Sequence, residues 1–337
     1  MPNHFDVKSG SAVFNGGKMK QNQRSSNPYK YTDSNKRYYT YDYYLRSVFG
    51  GKCAKIPLDG GFTCPNIDGR CSTGGCIYCS GRGSGDFAEL PTLSVKEQYD
   101  RVRARLSSKW STERCIPYFQ AHSNTYGEVE RLRRLYYEAL SLEGAVGLNI
   151  ATRADCLSEE VAELLAEVAE RTVLTVELGL QSSDDKTAAL INRGHSFSDF
   201  CRGFELLRGA SPKINICVHI IFGLPCETDE QMMRTVRDVA ALHPEQVKIH
   251  LLHVIRGTKM AEIYERGEYA PLEKEKYVSL VSDAIELLPE DIVIARLTGD
   301  GMADELLAPE WSRKKVSVIN DIDKLLFERG SWQGKGC

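Results

Sequence analysis

The chain has 337 residues, 42% of them hydrophobic, and a formal net charge of −3, the composition of an ordinary globular protein. No window approaches the roughly 18 uninterrupted apolar residues of a membrane helix, and the opening MPNHFDVKSGSAVFNGGKMK lacks the apolar centre of a signal peptide. Collagen, coiled coil, wholesale disorder and a secreted disulfide mini-domain are excluded, and the expected compartment is the reducing cytoplasm, with no membrane partner.

Residues 1–37 carry seven Lys/Arg and two Asp, a charge of +5 that leaves −8 for the rest. Rich in Gly, Ser and Asn and without apolar periodicity, this stretch reads as a basic, disordered or loosely attached extension. A tyrosine cluster overlaps its end and runs past it: Tyr29, Tyr31, Tyr38, Tyr39, Tyr41, Tyr43 and Tyr44. Aromatics interleaved with basic residues suit stacking on unpaired bases. They suit equally well the packing of a first helix onto the domain.

From about residue 53 short apolar runs alternate with amphipathic stretches. Strands are expected at 55–58, 115–121, 146–151, 173–180, 214–222, 247–255 and 291–297, and helices near 94–109, 128–142, 158–170, 197–208, 228–242 and 273–288. That alternation indicates βαβ units and a parallel sheet, which right-handed crossovers curl into an open or closed barrel. The division expected is extension 1–37, barrel 38–300, and a segment 301–337 that packs on the barrel.

Strands buried on both faces read as nearly continuous apolar runs, yet several of these carry one polar face. By period two, Gln120 goes with His122, Asn149 with Arg153, Glu177 with Gln181, Asn215 with His219, and Lys248 with His250. A ring of polar side chains near strand C-termini is what a barrel with its active site at that mouth shows. His250 and His253, three apart on an expected strand, should face opposite sides and not line the lumen together.

Of eleven cysteines, four fall in one loop between the first strand and the first long helix: Cys64, Cys71, Cys76 and Cys79. A close Cys-x-x-Cys pair with a more distant third thiolate suits three irons of a [4Fe–4S] cluster. Four cysteines also suit structural zinc, and the close pair a redox dithiol. Spacing alone leaves all three open.

The run GGFTCPNIDG…GGCIYCS…GSGDF resembles the radical SAM proteins of the YhcC/YtqA type, whose cluster cysteines follow Cys-x11-Cys-x2-Cys. Those are Cys64, Cys76 and Cys79 here. More distantly, this spread spacing is similar to that of the Elongator catalytic subunit. The resemblance continues through FQAHSNTY (119–126), GLNIATRADCL (147–157), VELGLQ (176–181), LINRGH (190–195), HIIFGLPCET (219–228), IHLLHVIRGT (249–258), RLTGDG (296–301) and ERGSWQGK (328–335). Three departures stand out: Ile67 where the family usually has Arg, Cys71 outside the family pattern, and ATRAD for the more usual TRPD, keeping Arg153 and Asp155.

The resemblance implies a partial (β/α)6-type barrel holding a [4Fe–4S] cluster and S-adenosylmethionine, whose reductive cleavage gives methionine and a 5′-deoxyadenosyl radical that abstracts hydrogen from substrate. It places Tyr78 beside the adenine, Gln120 and Asn124 at the methionine amino group, Arg153 at the carboxylate, and Glu177 and Gln181 at the ribose or amino group. The turn Gly223-Leu224-Pro225 would lie near the adenine by its backbone. His219, His250 and Arg296 are candidates for substrate chemistry, with Thr298 and Asp300 beyond Arg296 on the closing strand.

Related bacterial members act in maturation of the tRNA wobble uridine, so the resemblance further implies tRNA as substrate and conversion of carboxymethylaminomethyl- to aminomethyl-uridine. It also implies an electron donor such as flavodoxin or ferredoxin, and a methyltransferase downstream. The basic groups Arg101/Arg103/Arg105, Arg131/Arg133/Arg134 and Arg313/Lys314/Lys315 are compatible with RNA, though such runs more often make solvated helix faces. A radical enzyme on a small molecule or protein is the first competing reading. A non-catalytic, zinc-stabilised RNA-binding module is the second.

Overall fold

Alternating apolar runs drive the chain into seven parallel strands with helices on their outer face. The computed structural model describes residues 27–299 and 304–337. Helix α1 (Tyr41–Phe49) precedes β1 (Ala54–Leu58), and α2 (Val95–Ser107), β2 (Cys115–Phe119), α3 (Val129–Leu140), β3 (Gly147–Thr152) and α4 (Glu159–Ala169) follow. Next come β4 (Val173–Gln181), α5 (Asp185–Leu190), α6 (Phe197–Ala210), β5 (Ile214–Phe222), α7 (Asp229–Leu242) and β6 (Gln246–Leu251). The chain closes with β7 (Val254–Ile255), α8 (Lys259–Glu265), α9 (Lys274–Leu287), β8 (Val293–Arg296), β9 (Leu306–Ala308) and α10 (Lys315–Glu328).

The strand order β1-β2-β3-β4-β5-β6-β8 and all-parallel pairing make a curled half-barrel. Strands β1 to β6 supply the six expected units and β8 a seventh strand. Side-chain alternation divides the two faces. On β4 and β5, Val176, Leu178, Leu180, Ile216, Val218 and Ile220 are buried in the main apolar core, while Glu177, Gly179, Gln181 and His219 line an interior cavity. Helices are set by explicit N-caps: Ser94, Ser196 and Thr228 each form a capping box at the start of α2, α6 and α7, a device that satisfies otherwise orphan amide donors.

The run expected as one strand over 247–255 is two. Beyond Leu251 the chain leaves the sheet, and Val254–Ile255 pairs antiparallel with Leu306–Ala308 in a separate two-stranded sheet. His253 therefore sits off the strand, where period two no longer assigns a face.

Residues 1–26 of the expected extension lie outside the described residues, but 27–37 are tied down. The Tyr29 hydroxyl donates to the Glu290 carbonyl at 2.6 Å, and the Gln333 side-chain oxygen accepts from the Tyr39 amide at 2.9 Å. Tyr31 stacks on Tyr39 at 5.0 Å, and Tyr39 meets Tyr43 and Tyr44 edge-on. The tyrosines pack on one another; Tyr29 and Tyr38 are buried. Among the described residues no helix is long and apolar enough to cross a membrane.

Candidate active site

The long connection from β1 to α2 carries the four grouped cysteines over the C-terminal mouth of the sheet, and hydrogen bonds sew it to residues 191–194. Asn192 donates to the Thr73 and Gly75 carbonyls at 3.1 and 2.7 Å and accepts from Ser72 Oγ at 2.8 Å. The Ile77 amide donates to the Ile191 carbonyl at 3.1 Å, and buried Asn66 donates to the Asn192 carbonyl. Two glycines make this possible. Gly75 turns at φ +74, and a Cβ on Gly194, at φ +78, would stand 2.5 Å from Asn66 Oδ1.

Cys64, Cys76 and Cys79 line one cavity of about 160 Å³, together with Tyr78, Gln120, Arg153, Glu177, Gln181, His219, His250 and Arg296. Cys71 does not line it: its thiol is exposed and points at Asp155, 3.7 Å from Oδ2. Three nitrogens point at the lining sulfurs: Arg153 Nη1 lies 4.0 Å from Cys64 Sγ, Asn66 Nδ2 3.6 Å and Arg193 Nη1 3.9 Å from Cys76 Sγ. A hydrogen bond from Cys79, then the Arg193 and Arg153 charges, pull the Cys76 thiol well below its ordinary range despite burial. Thiolate, the form that binds metal, is therefore favoured at Cys76, whereas Cys79, which donates to it, is pushed up by that same bond and by burial. No three His, Cys, Asp or Glu among the described residues are grouped tightly enough for a single metal ion. Three thiols spread around a void instead fit a group larger than one ion.

The residues expected at the cofactor divide three ways. Tyr78, Gln120 and Gln181 line the cavity, Gln181 in a left-handed backbone conformation at φ 75. Arg153 lines it too, but its fork is engaged: Nε and Nη2 hold the two Asp155 oxygens at 2.8 and 2.7 Å, and Nη1 the Arg193 carbonyl at 2.8 Å. Asn124, Gly223, Leu224 and Pro225 are not among the lining residues. Asn124 instead braces β2 against β3, donating to the Phe119 and Ala151 carbonyls at 3.1 and 2.8 Å.

Glu177 is the hub of the floor. It accepts from Tyr118 Oη at 2.6 Å, Asn149 Nδ2 at 2.8 Å, His219 Nε2 at 2.9 Å and Lys55 Nζ at 3.1 Å, and pairs with Lys248. Lys248 and Lys55 hold its carboxyl well below the usual range against the desolvation that opposes them. One carboxylate cannot fully compensate two ammonium groups. Burial, with the Lys55 and Arg296 charges, brings Lys248 down to about 8, and burial first, then Lys248, brings His219 to about 4.

A second cavity of about 710 Å³ adjoins the first and shares Tyr78, Cys79, Gln120, Gln181, His219, His250 and Arg296 with it. Its other walls carry Phe87, Arg105, Trp110, His253 and Lys315. His250 and His253 therefore do border one cavity, contrary to expectation, because His253 lies past the strand end. Of the three basic groups, Arg105 and Lys315 reach this cavity, Arg105 while paired with Glu89 at 2.7 Å. Arg103 pairs with Glu143, Arg133 with Glu167, and Arg131 caps the Gly60 and Gly61 carbonyls. Asp300 lies outside the described residues. Sequence reasoning does not reach Arg193, Trp110 and Phe87 as site residues; the signal for Arg193 lay in LINRGH, whereas an exposed loop aromatic gives none.

Residues 66–239 match the Radical SAM superfamily, and residues 244–328 match the Radical SAM C-terminal domain. The chain belongs to the radical SAM superfamily. It is accordingly an enzyme that uses a [4Fe–4S] cluster and S-adenosylmethionine, which sets aside the non-catalytic zinc module. It is similar to the protein YtqA of Bacillus subtilis, 46% identical over 310 residues that cover 92% of this chain and 96% of that one. Protein YhcC of Escherichia coli is 35% identical over 287 residues, covering 85% and 91%. A tRNA uridine(34) acetyltransferase of Methanocaldococcus infernus is 29% identical over 277 residues, covering 68% of this chain and 50% of that protein. The same fold occurs in the solved Elp3 of Methanocaldococcus infernus, at a TM-score of 0.62 and 19% identity, covering 83% of this chain and 64% of that one. The thiols that share the cavity are Cys64, Cys76 and Cys79, with Cys71 turned toward Asp155.

Proposed function

We propose that this radical SAM enzyme acts on the wobble uridine of tRNA, converting its carboxymethylaminomethyl group to aminomethyl and leaving a substrate for a separate methyltransferase. When bound, the cluster and S-adenosylmethionine would supply a carbon radical that removes one hydrogen atom from the N–CH2 carbon of the substituent; one further electron, returned to the oxidised cluster, and one water would release that two-carbon piece as glyoxylate and leave the amine.

The observation that carries the reading is the adjacency of the two cavities. The cysteine-lined one shares Tyr78, Gln181 and His219 as a common wall with one of about 710 Å³. Along its wall stand Trp110 and Phe87, 62% and 39% exposed, with Arg105. A base must leave its stack to meet a buried reaction centre, and aromatic side chains with a guanidinium receive such a base. Similarity to a uridine(34)-modifying acetyltransferase points to the same nucleotide. In this reading Tyr78, Gln120 and Gln181 orient the S-adenosylmethionine, with Asn124 and the Gly223-Leu224-Pro225 turn supporting that wall from behind. Arg153 anchors the cysteine loop through Asp155 and the Arg193 carbonyl. A flavodoxin or ferredoxin supplies the electron, and the reaction takes place in the cytoplasm.

The deciding experiment is anaerobic reconstitution, then addition of S-adenosylmethionine, dithionite and bulk tRNA from cells lacking this protein. Production of 5′-deoxyadenosine with loss of the uridine carboxymethyl group, seen by nucleoside mass spectrometry, is expected. Deoxyadenosine with unchanged tRNA would leave the radical chemistry standing and remove tRNA as substrate.

A further inference from the structure

The turns that leave β4 and β5 each hold a left-handed residue, and one hydrogen bond joins them. Gln181 ends β4 with φ at 75, and Cys226 follows the Gly223-Leu224-Pro225 turn with φ at 61. A residue other than glycine persists in that region only where its surroundings hold it there. Each is followed at once by one partner of the bond, in which Ser182 Oγ donates to Glu227 Oε1 at 2.5 Å. Ser182 is buried, and its oxygen accepts from the Asp184 amide at 3.1 Å. The next residue is tied to α7, the Ser183 amide donating to Thr235 Oγ1 at 3.0 Å and its hydroxyl to Asp238 Oδ2 at 2.6 Å. On the β5 side, the Glu227 amide donates to the Leu224 carbonyl at 3.2 Å.

What these bonds hold is the seat of Gln181. The pairing of β4 with β5 shifts register between Gly179 and Gln181, and the side chain lies over Gly179. A Cβ there would stand 2.7 Å from Gln181 Nε2 and 3.0 Å from Arg193 Nη2. From this seat Gln181 borders both cavities. Relaxing its φ would carry the amide away, and the anchoring of residues 182 and 183 opposes that rotation. Of the two carboxyls that anchor the turn, Asp238 has Arg234 at 3.9 Å, whereas Glu227 has no cation within 4 Å among the described residues. The other charged groups nearby on α5 and α7 are engaged elsewhere: Asp184 with the Thr187 amide, Asp229 with Lys276, and Glu230 with Arg237. Burial therefore raises the Glu227 carboxyl to about 7 against the Ser182 bond, which lowers it, and Asp184 adds to the rise.

We infer that Glu227 is a positioning residue for S-adenosylmethionine: through Ser182 it fixes the turn that seats the Gln181 amide in the cysteine-lined cavity. The inference rests on the reading that Gln181 orients the cofactor, and it deepens that reading. Glu227 lines neither cavity and acts only through its neighbour. An ionised carboxylate accepts a stronger bond from a hydroxyl than a neutral carboxyl does. The sign follows: as pH falls through about 7 the carboxyl takes up a proton, the Ser182 bond weakens, and affinity for S-adenosylmethionine falls. Glutamine keeps the acceptor without the charge, so Glu227→Gln should bind at every pH as the wild type binds when protonated. Leucine keeps neither.

The test is equilibrium dialysis of S-adenosylmethionine against the reconstituted enzyme, without reductant or RNA, at about pH 6 and about pH 8. Loss of a charge-assisted bond predicts binding about tenfold weaker in Glu227→Leu at the higher pH. Glu227→Gln should lose about threefold there and almost nothing at the lower pH, where the wild type has itself weakened. Ser182→Ala should lose about as much as Glu227→Leu and decides the matter should that variant not fold, with urea unfolding of each apoprotein as the control. Gln181→Ala should also bind about tenfold more weakly, and Gln181→Ala with Ser182→Ala no more weakly than Gln181→Ala alone, since coupled residues are not additive. A merely structural Glu227 would lower stability and leave the pH dependence and that coupling unmoved. Weakened binding in Gln181→Ala with wild-type affinity in Ser182→Ala and Glu227→Gln, or losses that simply add, would overturn the positioning role and leave Gln181 at the cofactor. Unchanged affinity in Gln181→Ala would remove Gln181 from the cofactor, and the inference with it.

Discussion

Glu177→Gln offers a quantitative test of how the barrel floor is held together. The carboxylate is buried and bridges Lys248, whose side chain is 4% exposed, and Lys55, at 23%. Removing one member of a buried pair costs about 3–5 kcal/mol because the other charge stays behind. Here two ammonium groups are stranded, but one has an escape. Lys248 already titrates at about 8, and giving up its proton at pH 7 costs about 1.4 kcal/mol for each unit of separation. Glutamine also keeps an acceptor for Tyr118 or His219. The expected loss is therefore about 3 kcal/mol at pH 7, a large share of the roughly 5–15 kcal/mol that folded proteins possess. It should shrink by about 1 kcal/mol or more at pH 9, and Glu177→Gln with Lys248→Met should regain most of it. Urea unfolding of the apoprotein, compared at equal slope, measures all three. A Glu177→Gln loss below about 0.5 kcal/mol, or a deficit indifferent to Lys248→Met, would refute the picture of a single carboxylate balancing two buried cations.

Replacing Cys64, Cys76 or Cys79 with Ala should abolish iron and sulfide uptake on reconstitution, while Cys71→Ala retains it; the opposite pattern for Cys71 and Cys64 would invalidate the ligand set. Trp110→Ala should weaken anticodon stem-loop binding by about tenfold, since stacking on one base is worth ~1–3 kcal/mol, while 5′-deoxyadenosine formed without RNA is unchanged. Stability should fall as pH drops from about 6.5 toward 5. His253 and His219, lowered to about 4 by burial and neighbouring cations, bind fewer protons when folded than when unfolded across that window, and stability then rises with pH. His253→Asn should remove up to about 1.4 kcal/mol per pH unit from that slope, which denaturant midpoints at several pH values would show or deny.

Legibility in the sequence followed periodicity. All seven parallel strands and six of the helices could be placed because each buries one face against the next layer, and that leaves a pattern of 2 or 3.6 residues. The interior polar ring was visible for the same reason: Glu177, His219 and Lys248 interrupt apolar runs at the right alternation. Periodicity fails where the chain leaves the sheet. Alternation puts His253 on the wrong side because the backbone turns out after Leu251, and nothing in LLHVI marks that turn. Arg153 shows a second kind of limit. Its place at the mouth was readable, but its engagement with Asp155 and the Arg193 carbonyl depends on a segment 40 residues away, brought near by the fold alone.

That displacement changes which cation is available to a ligand. With Arg153 committed to Asp155, two guanidiniums remain at the cysteine-lined cavity, Arg296 and, beside Cys76, Arg193. Its Nη2 donates to the Gly179 carbonyl and its Nη1 points at Cys76, while Nε is buried without a partner among the described residues. Arg153 and Arg193 thus form a relay: Asp155 fixes Arg153, Arg153 holds the 193 carbonyl, and Arg193 lies beside the Cys76 sulfur. A fixed guanidinium beside Cys76 stabilises the anionic sulfur without being a ligand itself, as groups behind a metal's ligands generally do. The Cys-x11-Cys-x2-Cys spacing alone does not disclose that support. It comes from residues 153–155 and 192–194, which the barrel brings together under the loop.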